Sequence, residues 1–322
     1  MAAERLLAFV ERHFAGVARF EDVRTEQLAE AFREEFGLGP FPRLDELRAA
    51  VARAGIALDW LPPHAPEGLN TWSDEQGPVI HLRRGLSRLR AETTLAHELR
   101  EAIENAASRV YPDYQGQRTH QNRKMNPESD QFGAFLLMQA SATRHLLTLE
   151  GFDFAAFASG HRRSPASVVA YAQTLFPKTY SGAAPCAGLW LYEPPWNPQG
   201  GPAVDASDFR VTQQAHLMGF STSRSSQRAA SLAAIFPNRG ASAEAAETVR
   251  AALATHKRVT RLIGGIDLFG DDDFTVVAEP LFVQGQVQRA LLTAVRADSI
   301  NLVDPWLRRI ATPVDGTRYQ HI

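Results

Sequence analysis

The residues best suited to chemistry lie in one short segment, HELRE (97–101). The sequence around it, SRLRAETTLAHELREAIENAAS (87–108), carries apolar residues at helical spacing and predicts a long helix. Positions i and i+4 of a helix point the same way, so His97 and Glu101 would lie on one side and could bind one metal ion. Glu98 would lie about 100° round the same helix, close to that metal site.

This spacing has a catalytic and a structural interpretation. A His-Glu-x-x-His helix binds zinc in metallopeptidases through its two histidines, and its Glu acts as the general base. Here Glu101 stands at the position of the second His. In the structural interpretation Arg100, Glu101 and Glu104 form a solvated charged face, because short motifs often occur by chance.

The composition is that of an ordinary globular protein and excludes several kinds of site. The chain has 322 residues, which is enough for about two domains. Of these residues, 44% are hydrophobic and 22% are charged. A net charge of −2 gives no bulk attraction to nucleic acid or anionic lipid. The single cysteine, Cys186, excludes an intramolecular disulfide and a zinc site built from several thiolates. Since no apolar run reaches about 18 residues, we expect a cytoplasmic protein that does not span a membrane.

The first half of the chain is predicted to be mainly helical, with one small sheet. Apolar residues at three-to-four spacing predict helices over residues 1–56. IALDWL (56–61) predicts a strand, and LNTWS and PVIHL, on either side of DEQG, predict a hairpin. Further helices are predicted at 87–108, 126–140, 141–158 and 164–176.

The second half changes in character after PKTYSGAAP (177–185), a segment of Pro, Gly and small residues that predicts a linker. Beyond it, strands are predicted at AGLWLY, FRVTQQAHLMGF, FTVVAEPLFV and VQRALLTAVRA, and a helix at ASAEAAETVRAALAT (241–255). Strands and a helix in this order predict an α+β module.

Two segments, in the right order, resemble the ImmA/IrrE family of metallopeptidases, which are cytosolic enzymes that cleave helix-turn-helix repressors. The family's motif helix, R-x-R-F-T-L-A-H-E-x-x-H, is matched at Arg88, Arg90, Thr94, Leu95, Ala96, His97 and Glu98. A second family helix is matched at Phe132, Ala134, Leu136, Leu137 and Met138. The resemblance covers roughly residues 40–176. It implies a zincin-like peptidase domain with a Zn or Mn cofactor, Glu98 as catalytic base, and an XRE-type repressor as partner.

The chain departs from the family pattern at the metal ligands. Glu101 replaces the second His, and the family's third ligand, a Glu, falls on Asn126. Glu128 could serve in place of Asn126 if the start of its helix were rearranged, and His120 in the preceding loop is a further candidate. Additional carboxylate oxygens favour Mn²⁺ or Mg²⁺ over zinc. The chain could therefore be an active peptidase, a pseudopeptidase that binds a repressor without cleaving it, or a protein with a purely structural metal.

The resemblance extends more weakly to the rest of the chain. Residues 141–178 resemble the helix-turn-helix-like element of IrrE proteins, but the helix SPASVVAYAQTLF has no Lys or Arg to read bases, so we expect it to pack. Residues 186–322 resemble a GAF-like sensor domain, which implies a small ligand or a nucleic acid as signal. Candidate contacts are Trp190, Phe220 and Phe236 for a small ligand, and Arg224, Arg228 and Arg239 for an anion or nucleic acid. The alternative, which is the commoner case for such residues, is that the aromatic side chains are core and the arginines are solvated surface.

These observations predict an α+β stress-response regulator. Residues 1–140 would form an IrrE-like metallopeptidase-like domain, 141–178 the helical element, and 186–322 the GAF-like domain.

Overall fold

The computed structural model describes residues 3–17, 24–73, 75–113, 127–149, 153–175, 186–193, 209–216, 243–263, 274–283 and 286–296. The chain forms two compact units, Met1–Thr143 and Arg144–Ile322. Helices and strands occur in both units, as the predicted α+β class requires. None of the described helices is long and apolar enough to cross a membrane.

The first unit combines helices with a three-stranded sheet. Its helices are α1 (Glu4–His13), α2 (Thr25–Phe36), α3 (Leu44–Arg53), α4 (Arg88–Val110) and α5 (Pro127–Leu137). Its strands are β1 (Ala57–Leu61), β2 (Gly68–Ser73) and β3 (Gly77–Arg83), and the sheet has the order β1-β3-β2. The predicted hairpin is confirmed, because β2 and β3 pair antiparallel, and β1 pairs with β3 in parallel.

The long helix α4 lies at the centre of this unit. It begins at Ser87, whose hydroxyl accepts a hydrogen bond from the backbone N–H of Arg90, as an N-cap residue does. The predicted apolar stripe is confirmed, since Leu95, Leu99 and Ile103 are all fully buried. The core also takes in aromatic side chains from three other helices: Phe9 of α1, Phe32 and Phe36 of α2, and Phe132 of α5. Burial of this stripe fixes which side of α4 is left for His97 and Glu101.

Two of the charged residues of α4, Arg100 and Glu104, do not lie on a solvated face. Arg100 is fully buried and Glu104 is 4% exposed. Their side chains form an ion pair, with Arg100 Nη1 2.7 Å from Glu104 Oε1. The structural interpretation of the charged residues as a solvated face is therefore wrong for these two, because the helix is packed on more sides than its sequence indicates.

The strand β2 runs along α4 on the side that carries the HELRE segment. Gly68 lies against Glu98, Asn70 contacts Glu98 and Glu101, and the ring of Trp72 lies 4.7 Å from the guanidinium of Arg109. Two residues of a strand advance about as far as four residues of a helix, so alternate side chains of β2 meet successive turns of α4. This register brings a strand distant in sequence to the predicted site.

The second unit contains a five-stranded antiparallel sheet with the order β5-β4-β8-β7-β6. Its strands are β4 (Cys186–Glu193), β5 (Arg210–His216), β6 (Val259–Ile263), β7 (Phe274–Val283) and β8 (Gln286–Arg296). Its helices are α6 (Ala140–Leu149), which begins just before the boundary, α7 (Phe154–Gly160), α8 (Pro165–Leu175) and α9 (Ala243–Thr255). Helix α8 packs on β4 and β5, and α9 packs on β6, β7 and β8.

Two details of this unit differ from the sequence prediction. The single helix predicted over 141–158 is two helices, and Asp153 caps the second by accepting a hydrogen bond from the N–H of Ala156 at 2.8 Å. Strand β6 was not predicted, because its segment VTRLI is short and its two polar residues are adjacent, so it lacks the alternation of a half-buried strand. The predicted linker 177–185 lies outside the described residues.

Candidate metal centre

His97 and Glu101 face the same side of α4, as their spacing predicts. The ring nitrogen Nε2 of His97 lies 3.3 Å from Glu101 Oε1. The other ring nitrogen, Nδ1, lies 2.8 Å from Oδ1 of Asp130, a residue in the first turn of α5. A carboxylate on one imidazole nitrogen fixes the orientation of the ring and is the usual outer partner of a metal-binding histidine.

The position of Asp130 decides what can lie between His97 and Glu101. When Nδ1–H donates to Asp130, Nε2 of a neutral ring carries a lone pair that faces a carboxylate oxygen. Two acceptors in this position repel each other unless a positive charge lies between them. A proton is one solution: burial lowers the pKa of His97, but hydrogen bonds to Asp130 and Glu101 outweigh burial and raise it to about 10. A divalent cation is the other.

Glu98 lies beside this pair on the buried side of the helix. It is 8% exposed, and its Oε2 accepts a hydrogen bond from Asn70 Nδ2 at 3.2 Å. Burial and the neighbouring charge of Glu101 raise the pKa of Glu98 to about 7. A carboxyl group with a pKa near 7 can both take up and release a proton at neutral pH, as a general base must.

The donor set fits a divalent cation. Ligand atoms of His97, Glu98 and Glu101 all lie within 4.8 Å of one another. Two ligands about 2.0–2.2 Å from a tetrahedral metal lie about 3.4 Å apart, which is close to the 3.3 Å between Nε2 and the Glu101 oxygen. An imidazole and two carboxylates suit zinc as well as manganese, and each further oxygen shifts the preference towards manganese.

Two residues that the sequence reasoning missed complete the surroundings of the site. Asp130 orients His97, and Asn70 donates to both glutamates, at 3.2 Å to Glu98 Oε2 and 2.8 Å to Glu101 Oε2. Asn105, one turn beyond Glu101, in turn donates to Oδ1 of Asn70. The sequence held one indication of the role of Asn70. It is a polar residue between Gly68 and Trp72, on the less exposed face of the alternating strand β2.

Of the other predicted ligands, the structure describes only Glu128, which is not part of this cluster. Glu128 lies in the first turn of α5, and it is absent from the group of described residues whose ligand atoms come within 4.8 Å. Its Oε2 is buried without a hydrogen-bond partner among the described residues. Asn126 and His120 lie outside the described residues, so both remain predictions.

The predicted contacts of the second unit lie mostly outside the described residues. This is true of Phe220 and Phe236, and of Arg224, Arg228 and Arg239. Trp190 lies on β4, in register with Gln214 of β5 and Leu292 of β8.

The comparisons with known proteins give a fold and no family. No family model matches the chain. No curated protein matches it either. Among solved structures, a Mycobacterium tuberculosis transcriptional regulator is similar, with a TM-score of 0.55 and 11% identity over 98% of this chain and 87% of that chain. At this identity the likeness shows a shared fold alone.

Proposed function

We propose that this protein is an IrrE-like regulator that cleaves a helix-turn-helix repressor of the XRE type in a metal-dependent reaction. The observation that carries the proposal is the facing pair of His97 Nε2 and Glu101 Oε1, with Glu98 beside it and Asp130 behind the ring. The geometry calls for a positive charge between two acceptors, and the donor set is one that Zn²⁺ or Mn²⁺ accepts.

Each residue has a distinct part in this proposal. Asp130 holds the His97 ring in one orientation, and His97 and Glu101 hold the cation. Glu98 accepts a proton from the attacking water, for which its raised pKa of about 7 is suited. The cation, when bound, supplies the Lewis acidity that makes water a nucleophile near neutral pH.

The position of β2 supports a peptide substrate. It is the edge strand of its sheet, and its Gly68 contacts Glu98 so closely that an added Cβ would lie 2.5 Å from Glu98 Oε1. An extended peptide binds an exposed sheet edge through main-chain hydrogen bonds. A repressor segment paired with β2 would run past the cluster of His97, Glu98 and Glu101.

The shared fold with a transcriptional regulator supports a regulatory role for this chemistry. In this proposal the second unit is the GAF-like sensor, which receives a small ligand or a nucleic acid and controls cleavage. The protein would act in the cytoplasm, where repressors are found.

A second candidate is a pseudopeptidase that binds the repressor without cleaving it. The observation that favours it is the hydrogen bonding of the cluster itself. A proton on His97 satisfies Glu101, and the amide of Asn70 bridges Glu98 and Glu101, so every member has a partner without a cation. In this case the same surface serves recognition alone.

Cleavage of repressors separates the two candidates. The wild-type protein is incubated with a panel of purified helix-turn-helix repressors and Zn²⁺ or Mn²⁺, beside Glu98→Gln and, as matched control, Glu75→Gln in the exposed hairpin turn. The peptidase proposal predicts a cleaved repressor with the wild type and Glu75→Gln, and an intact one with Glu98→Gln. Binding of an intact repressor by all three proteins, unchanged by a chelator, would favour the pseudopeptidase.

A further inference from the structure

The amide of Asn70 occupies an unusual position for a neutral side chain. Its Nδ2 lies between two carboxylates, 3.2 Å from Glu98 Oε2 and 2.8 Å from Glu101 Oε2. Both glutamates belong to the group of ligand atoms around His97. The amide nitrogen therefore offers partial positive charge to two carboxylate oxygens. A cation in the same position would do the same.

A side-chain amide has a second end with the opposite property. Its oxygen accepts hydrogen bonds and binds cations, and a half turn about the Cβ–Cγ bond exchanges oxygen and nitrogen. In Asn70 the oxygen accepts a hydrogen bond from Nδ2 of Asn105. Asn105 is itself an amide, so it can turn as well and accept from Asn70 instead of donating. The hydrogen bond between the two amides is therefore kept in either orientation.

We propose that Asn70 is a metal ligand, which turns its oxygen towards Glu98 and Glu101 when a cation binds and its nitrogen towards them when none is bound. The inference rests on the proposed metal site and adds to it the ligand that the HELRE segment lacks. The third ligand then comes from strand β2 and not from Asn126, Glu128 or His120.

The backbone of β2 makes this role sterically accessible. Gly68 has no side chain where a Cβ would lie 2.6 Å from Thr94 Cγ2 and 2.5 Å from Glu98 Oε1, so the strand approaches α4 closely. Asn70, two residues on, points to the same side. The resulting donor set of His97, Glu101 and Asn70, one nitrogen and two oxygens, is harder than that of a two-histidine zinc site, and it favours Mn²⁺.

Three variants separate a ligand from a hydrogen-bond donor and from a simple charge effect. Asn70→Ala removes both ends of the amide. Asn70→Asp keeps an oxygen but cannot donate to the glutamates. Asn70→Ala combined with Asn105→Asp adds a negative charge one turn beyond Glu101 without restoring an oxygen at position 70.

The readouts are the affinity for Mn²⁺, from calorimetry and from the EPR signal of free Mn²⁺, and the melting temperature with and without the metal. We expect Asn70→Ala to weaken binding by about tenfold or more. We expect Asn70→Asp to bind at least as tightly as the wild type, to melt lower without metal because three carboxylates repel, and to regain stability with metal. The combined variant should bind as weakly as Asn70→Ala.

Three results would overturn the inference while leaving the proposed metal site intact. One is wild-type affinity in Asn70→Ala. Another is a loss in Asn70→Asp as large as in Asn70→Ala, since only the donated hydrogen bonds would then matter. Tight Mn²⁺ binding by the combined variant would mean that added negative charge alone restores the affinity. This result would also overturn the role of Asn70 as a ligand. A wild-type protein that binds no metal would overturn the metal site and the role of Asn70 together.

Discussion

Two of the acid–base pairs that helix α4 carries at four-residue spacing, Arg100–Glu104 and His97–Glu101, have opposite surroundings. The side chains of Arg100 and Glu104 are 0% and 5% exposed, and those of His97 and Glu101 are 24% and 18% exposed. The guanidinium of Arg100 lies over the ring of Phe14, 6.0 Å from its centroid. His97 instead meets polar Asp130, and Glu101 meets polar Asn70.

The difference shows that spacing alone does not make a site. Both pairs satisfy the i, i+4 rule. One is closed off by the aromatic core of α1 and can serve only the fold. The other is reached from solvent and is held by residues from α5 and β2, so it can bind something from outside. The predictions below test this contrast, beginning with the largest effect.

Replacing Arg100 by Met should cost about 3 kcal/mol in the free energy of unfolding, because it leaves Glu104 buried without its cation. Chemical denaturation measures this loss. Combining Arg100→Met with Glu104→Leu should recover most of it, since a buried ion pair can be replaced by apolar groups at little cost. A loss below about 1 kcal/mol in the single variant would mean that the buried pair does not support the fold.

Replacing Gly68 by Ala should cost about 1–3 kcal/mol, because the new Cβ would lie 2.6 Å from Thr94 Cγ2 and 2.5 Å from Glu98 Oε1. Either the strand or the side chains of Thr94 and Glu98 must shift, which should also weaken metal binding by disturbing Asn70 and the surroundings of Glu101. Gly39→Ala is the matched control, since a Cβ there meets nothing within 4 Å. Equal melting temperatures and equal metal affinities for the two variants would contradict the close approach of β2.

Metal affinity should rise with pH by up to about tenfold per pH unit for each proton that the metal displaces. The pKa of His97 is raised to about 10 by its hydrogen bonds to Asp130 and Glu101, and that of Glu98 to about 7 by burial and Glu101. From pH 6 to 8 His97 therefore holds a proton in the metal-free protein that metal binding must release, whereas Glu98 holds one mainly below about pH 7. Calorimetry at pH 6, 7 and 8 measures the slope. An affinity independent of pH would place the metal away from these two residues.

More of the fold of the first unit than of its site could be predicted from the sequence. Local sequence patterns predicted the helix α4 and the β2–β3 hairpin, because periodicity and turn residues are properties of neighbouring positions in the sequence. The burial of Arg100 could not be read from its neighbours, since it depends on Phe14, which is far away in sequence. Asn70 was not predicted as a site residue because its contacts are with Glu98 and Glu101, which are far away in sequence.

The site itself was predicted in part. His97, Glu98 and Glu101 come from one helical segment, and the structure brings their ligand atoms together. The groups that set their chemistry come from other elements: Asp130 from α5 and Asn70 from β2. Only the packing of three elements defines these contacts, and no spacing within the motif encodes them.

The most direct test of the central claim is the metal content of the purified protein after exposure to Zn²⁺ or Mn²⁺ and removal of excess metal, measured by elemental mass spectrometry. The variants are His97→Ala and, as matched control, His64→Ala at an exposed loop position. The account predicts about one metal ion per chain in the wild type and in His64→Ala, and none in His97→Ala. Equal metal content in all three proteins, or none in the wild type, would contradict a metal site at His97, Glu98 and Glu101.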